Sequence, residues 1–312
     1  MARALELIRR LEDNVGRALV GKPEVVRLAV VGLLARGHLL IEDVPGVGKT
    51  TLAAALARSI GAGFQRIQFT SDMLPSDVLG VSVYQPDRGE FVFKPGPLFT
   101  NIVLADEINR TTPKTQSSLL EAMNEAQVSL DHSTYPLPRP FMVLATQNPR
   151  DHEGTYALPE SQLDRFLLRI RIGYPGATDE KVILRGAATP ALEALPPVLT
   201  VAEVLSLQDE AERVRVDDSV LDYVMALVTA TRASHLLTLG VSPRGSLFLL
   251  RAARGRALAD GRDYVVPDDV KSLAVAALAH RVLVKGHGGD RTGGAAGEPV
   301  IRAITQEVPV PR

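Results

Sequence analysis

Residues 41–51 read IEDVPGVGKTT. An apolar run, HLLIE at 38–42, enters this glycine-containing turn, and a helical stretch, TLAAALARS, leaves it. A strand-turn-helix of that kind turns backbone N–H groups into a concavity at the positive end of a helix dipole, a geometry that binds phosphate. The spacing is that of the G-x-x-x-x-G-K-[ST] loop, except that Asp43 stands where the first glycine is expected. Asp tolerates turn geometry better than most residues, and the residues that wrap phosphates come later, so the departure reads as a variant of the loop. Within Pro45, Gly46, Val47, Gly48, Lys49, Thr50 and Thr51, the two glycines permit close backbone approach. Lys49 can then reach the β and γ phosphates, and the Thr50 hydroxyl can ligate Mg2+. Taken alone, the loop could also be an ordinary strand-to-helix connection.

A second stretch, NIVLADE at 101–107, runs four apolar residues into two carboxylates. A buried strand has no packing use for adjacent acids, whereas a nucleotide site needs one to hold Mg2+ (Asp106) and one to polarise the attacking water (Glu107). A solvated corner is the alternative. FMVLATQNP ends a further strand with Asn148, placed to sit beside a γ-phosphate, although Asn before Pro is also a common turn. In LPESQLDRF at 158–166, Arg165 falls late in a short helix, from which it could reach a neighbouring subunit's nucleotide or instead pair with Asp164 or Glu160. Arg244, in SPRGS, opposes the dipole of the helix it starts; an anion would remove that conflict, and simple solvation is the other reading.

Around these motifs, apolar runs at 38–42, 64–69, 101–105, 141–146 and 167–172 alternate with helical segments, which predicts an α/β fold: a three-layer αβα domain with a five-stranded, mostly parallel sheet. Thr112 precedes a helix beginning at Pro113, and Pro159 opens another. Alternating apolar residues around turn signals predict hairpins at 81–95 and 127–139. Three prolines in 187–199 mark a boundary, giving domains 1–186 and 187–312, the second a small all-α bundle of about four helices. Its starts are a capping box at Thr200–Glu203, Ser242-Pro243 and Val266-Pro267, with Leu247, Leu250, Ala253 and Ala257 expected on one face. The glycine-rich stretch 286–297 is expected to be loose, with the apolar VPVP tail docking back.

The chain has 312 residues, 46% of them hydrophobic, with no apolar run approaching the roughly 20 residues of a membrane-spanning helix. The amino end lacks the marks of a secretory signal, so a cytoplasmic location is expected. The absence of cysteine excludes disulfides and thiolate metal sites, and none of the six histidines is spaced for a helical zinc site. A net charge of -1 gives no global attraction to nucleic acid.

With those residues in place, the chain resembles AAA+ ATPases and, within them, the MoxR family. The resemblance lies in VGKPEVVRLAVVGLLARGHLLIEDVPGVGKTTLA, LADEINRTTPKTQSSLLEAMNEAQVS, ATQNPRDHEGTYALPESQLDRF and SPRGS. In that family an acid at the Asp43 position is usual. The resemblance implies Walker A at Gly46 to Thr51, Walker B at Asp106 and Glu107, sensor 1 at Asn148, an arginine finger at Arg165 and sensor 2 at Arg244. It further implies an adenine-side hinge at Val20 and Gly21, a helix-2 insert at 81–95 and a pre-sensor-1 hairpin at 127–139. The expected activity is Mg2+-dependent hydrolysis of ATP, bound between the two domains of one subunit and the finger of the next. The expected setting is a hexameric ring acting as a chaperone in complex maturation or metal cofactor insertion, with a von Willebrand factor A domain protein and a client as partners. A DNA-dependent motor, a non-hydrolysing nucleotide-gated scaffold and a GTP switch are the competing readings. Balanced charge and the presence of every catalytic residue type weigh against the first two, and the lack of an N-K-x-D guanine reader against the third.

Overall fold

The computed structural model describes residues 1–87, 89–130, 133–148, 154–186, 192, 194–286 and 293–311. Helices α1 (Ala2–Ala18) and α2 (Pro23–Leu34) precede β1 (Leu39–Glu42), α3 (Lys49–Ser59) and β2 (Phe64–Gln68). A short α4 (Pro75–Leu79) leads into a hairpin of β3 (Gly80–Gln85) and β4 (Glu90–Pro95), followed by β5 (Ile102–Asp106) and α5 (Pro113–Glu125). A second hairpin, β6 (Gln127–Leu130) with β7 (Ser133–Pro136), comes before β8 (Met142–Gln147), the one-turn α6 (Glu160–Leu163) and β9 (Leu168–Ile170). Both hairpins fall where the alternating pattern puts them.

The five apolar runs form one parallel sheet in the order β2-β5-β8-β1-β9. Strands β5, β8, β1 and β9 are covered on both faces, while the edge strand β2 exposes Gln65, Arg66 and Gln68, and successive residues of the covered strands alternate between two cores as a period of two requires. Leu39, Ile41, Ile102, Leu104 and Leu144 face the core built with α1, α2 and α3. Leu40, Val103, Ala105, Val143 and Ala145 face the other, closed by Leu119, Leu120 and Met123 of α5. Parallel register brings Glu42 opposite Gln147 and Gln68 opposite Asp106, so the carboxyl ends of the strands finish level. In sheets of this kind ligands bind beyond those ends.

After α7 (Ala177–Leu184) come α8 (Val201–Arg213), α9 (Asp218–Ala233), the short β10 (Leu237–Leu239), α10 (Pro243–Ala259), α11 (Pro267–Leu278), β11 (Leu283–Val284) and α12 (Gly293–Glu307). The helical half therefore has five helices among the described residues rather than about four. The extra one, α12, begins inside the stretch expected to be loose; residues 287–292 of that stretch lie outside the described residues, as do 187–191 and 193 of the boundary and 149–153. Packing overrides local propensity there: a Cβ on Gly297 would lie 2.4 Å from the Ala279 carbonyl oxygen, so glycine is what allows α12 to close on the chain ahead of it. Of the tail, Val308 packs against the large core and Val310 is exposed. The buried face of α10 is Leu249, Ala252, Ala253, Ala257 and Leu258, whereas Leu247 is 62% exposed, because contact with α2 and α11 rotates the sheltered face away from it.

The helical half shares its core with the sheet domain. Leu249 and Leu273 belong to the same apolar cluster as Leu33 and Leu34. Polar pins reinforce the contact: Gln208 Nε2 donates to Leu33 O at 2.7 Å, and Arg251 Nη2 donates to Ala35 O at 2.6 Å.

Candidate functional site

Beyond the ends of β1, β5 and β8 lies a cleft of about 370 Å3 lined by Pro45, Gly46, Gly48, Lys49, Thr50, Thr51, Arg66, Gln68, Asp106, Glu107 and Asn148. The strand order explains the convergence. β8 lies between β1 and β5, so Asn148 emerges between the glycine loop and the two acids. Gly46 and Gly48 take φ of 82° and 101°, left-handed values that L side chains rarely adopt, and Gly48 is the N-cap of α3. The loop therefore aims its N–H groups and the positive end of α3 into the cleft. Val47 is buried and absent from the lining, and Val20 and Gly21 also lie outside it.

The acids are held by residues that local sequence does not reveal. Arg66, on β2, donates to Asp106 Oδ2 through Nη2 at 2.6 Å and Nε at 3.1 Å. Thr146, on β8, donates to Asp106 Oδ1 at 2.6 Å, and its oxygen accepts the Glu107 N–H at 2.9 Å. Gln68 Nε2 and Arg110 Nε donate to Glu107 Oε2 at 2.8 and 3.0 Å. The one local signal for Arg66 and Gln68 is a polar pair two apart on a short strand, which becomes meaningful only once β2 is known to lie against β5.

The cleft fits a magnesium-bound triphosphate. A cationic Lys49, a dipole-backed glycine turn, one hydroxyl and two carboxylates provide donors for phosphate oxygens and hard oxygen ligands for the metal.

Arg165 and Arg244 are elsewhere. Both line a larger cavity of about 740 Å3, together with Arg36, Arg139, Arg251 and Phe248. Asp164 does not pair with Arg165: it accepts from Ser242 Oγ at 2.9 Å and lies near Arg281. Arg165 instead meets the side-chain amide of Asn124, whose oxygen, once the amide is flipped to face the guanidinium, accepts from Nη1 at 3.0 Å and Nε at 3.3 Å. Among the described residues no carboxylate pairs with Arg165 or Arg244. Among the described residues of the helical half, none lines the glycine-loop cleft.

A parallel sheet of this order, with a glycine loop after β1, paired acids after β5 and a helical lid, defines the AAA class of nucleotide-binding domain. The family model described as "ATPase family associated with various cellular activities (AAA)" matches residues 38–168, and that of the AAA lid domain matches 229–299. The chain is 49% identical to the Bacillus subtilis protein YeaC over 98% of its length and 95% of that protein. It is 43% identical to chaperone MoxR1 of Mycobacterium tuberculosis, over 91% of this chain and 78% of that one. A crystal structure from Cytophaga hutchinsonii, whose own assignment as an ATPase is provisional, superposes with a TM-score of 0.88 at 36% identity, covering 100% of this chain and 97% of the other. The chain belongs to the MoxR family of AAA+ ATPases.

Proposed function

We propose that this chain hydrolyses ATP with Mg2+ and uses the cycle, as a cytoplasmic homo-oligomeric ring of hexameric kind, to remodel a client protein. The observation that carries the reading is the meeting of Lys49, Thr50, Asp106, Glu107 and Asn148 in one cleft at the carboxyl edge of the sheet. ATP supplies the phosphoanhydride bond, and Mg2+ supplies charge neutralisation on its oxygens. Lys49 and the Gly46–Thr51 N–H groups bind phosphate; Thr50 and Asp106 hold the metal. Glu107 accepts the proton of the attacking water, and Asn148 orients that water. Val20 and Gly21 are the adenine-side hinge in this scheme, residues 1–186 the core and 187–312 the lid.

Arg165 and Arg244 share a cavity remote from their own subunit's phosphate loop, which supports both acting on the nucleotide of a neighbour. The name of the M. tuberculosis relative supports the chaperone role. Complex maturation or metal cofactor insertion, and a partner with a von Willebrand factor A domain, follow from the family resemblance. A pull-down with Glu107→Gln protein held in ATP identifies the client.

The decisive assay is phosphate release. Glu107→Gln should bind ATP as the wild type does and lose about 10^2- to 10^4-fold in turnover, the usual contribution of a general base. Turnover at the wild-type rate would remove Glu107 from the mechanism.

A further inference from the structure

Between the end of β1 at Glu42 and the loop proper at Pro45, Asp43 uses every polar group it has. Its N–H donates to Gln147 O at 3.3 Å, and its carbonyl accepts from Lys49 Nζ at 2.5 Å. A glycine could do as much. The carboxylate does what glycine cannot. Oδ1 accepts the Val44 N–H at 2.8 Å, and Oδ2 accepts the N–H groups of Ile172 at 2.7 Å and Gly173 at 2.6 Å.

Residues 172 and 173 lie just beyond β9, where the chain leaves the sheet for α7 and the helical half. Past that point the backbone turns through Gly173 at φ 66°, so its N–H groups leave the ladder and need another acceptor. A carboxylate taking both forms charge-assisted bonds, roughly twice as strong as neutral ones. The next residue continues the connection: Tyr174 O accepts from Lys22 Nζ at 2.7 Å. Lys22 follows Gly21, whose Cα packs so closely on Asp179 of α7 that a Cβ there would lie 2.1 Å from its carboxylate. An unbroken line of contacts thus runs from Lys49 through Asp43 to residues 172–174 and on to the loop at 20–22.

We propose that Asp43 is a positioning residue that fixes the Lys49 ammonium relative to the 172–174 linker, so that nucleotide held by Lys49 alters the linker leading to the helical half. This rests on the reading of residues 45–51 as a triphosphate loop. A ligand shifts a conformational equilibrium only through a difference in its interaction with the two states. Asp43 supplies that difference, since displacement of Lys49 moves a residue whose side chain grips the linker backbone. A glycine in its place would leave phosphate binding intact and the linker uninformed.

The test is hydrogen exchange of full-length wild-type, Asp43→Gly and Asp43→Asn proteins, each with and without Mg-ATP, read on peptides spanning 170–176, alongside ATP affinity and steady-state kinetics. In wild type, ATP should change exchange at 172–174. Asp43→Gly should bind ATP within about three-fold of wild type, exchange fast at 172–174 with or without nucleotide, and lose about ten-fold in kcat with a much smaller change in KM, as expected for losing charge-assisted bonds. Asp43→Asn, whose amide oxygen can still accept, should fall between. If Asp43→Gly does not fold, the wild-type and Asp43→Asn comparison decides. Wild-type kcat and nucleotide-dependent exchange in the variants would overturn the proposal, as would equal loss of ATP affinity and turnover, the mark of a damaged phosphate loop. Wild type that fails to bind ATP overturns the nucleotide reading itself; wild type that binds ATP without any change at 172–174 overturns this inference alone.

Discussion

Glu107 adopts φ 57° and ψ 48°, a left-handed conformation that costs a non-glycine residue about 1–3 kcal/mol. The Thr146 hydroxyl holds its N–H, and Gln68 and Arg110 hold its carboxylate, so the strain is maintained by contacts from three separate segments. His38 shows the same dependence in a structural role. Its Nδ1 accepts the Val143 N–H at 3.0 Å, which requires the proton on Nε2, and Nε2–H donates to Met123 O at 2.9 Å. Burial, aided by the nearby Arg251 charge, pushes its pKa down to about 4. The unfolded chain, with a pKa near 6.5, therefore takes up the proton first as pH falls. Stability is full above about pH 6.5, declines toward pH 4 and levels below, a loss of about 3 kcal/mol at 1.36 kcal/mol per unit. Urea melts across pH 4–7 should show this slope, reduced in His38→Gln. A share will persist through buried His280, whose pKa burial also lowers. An unchanged slope in the variant would contradict the assignment.

Among the elements, the two hairpins form one unit. Phe93 of β4 stacks on Tyr135 of β7 with centroids 3.9 Å apart and planes at 19°, and meets Phe99 edge-on at 5.3 Å. Such pairs contribute about 0.5–1.5 kcal/mol beyond their burial. Phe93→Ala should cost about 1 kcal/mol or slightly more and raise proteolysis in both hairpins together while ATP binding persists; cleavage rising in one hairpin alone would show them to be independent. The hairpins themselves were legible, because alternation and turn residues are local signals. Their pairing was not, since Phe93 and Tyr135 meet only through the placement of β4 and β7 against each other. The sheet divides the same way. Its strands appear as five apolar runs, but the contact of Arg66 with Asp106 depends on β2 lying beside β5.

At the scale of the molecule, the helical half seats its apolar face on α2 and leaves Arg244 beside Arg165, away from Lys49. With the ring proposed above, this arrangement predicts complementation. Arg165→Ala should lower turnover about 10^3-fold or more, as removal of an arginine finger does, and Lys49→Ala should be inactive. A mixture should regain activity, because Lys49→Ala subunits bring an intact Arg165 to the loaded sites of their neighbours. Arg244→Ala should complement Lys49→Ala in the same way. Mixed assemblies that form without regaining phosphate release would place these arginines in their own subunit's chemistry.

The sequence by itself determined the αβα fold, the glycine turn after β1 with Asp43 at its start and the acids at the end of β5, because each is written in contiguous residues whose periodicity and turn chemistry act locally. The tertiary structure alone decided that α12 is a helix, that Arg66 and Thr146 grip Asp106, that Arg244 joins Arg165, and that the Asp43 carboxylate binds the linker at 172–173. Those outcomes depend on strand order and on which helix face finds a partner, and both are set by burial of the whole chain at once.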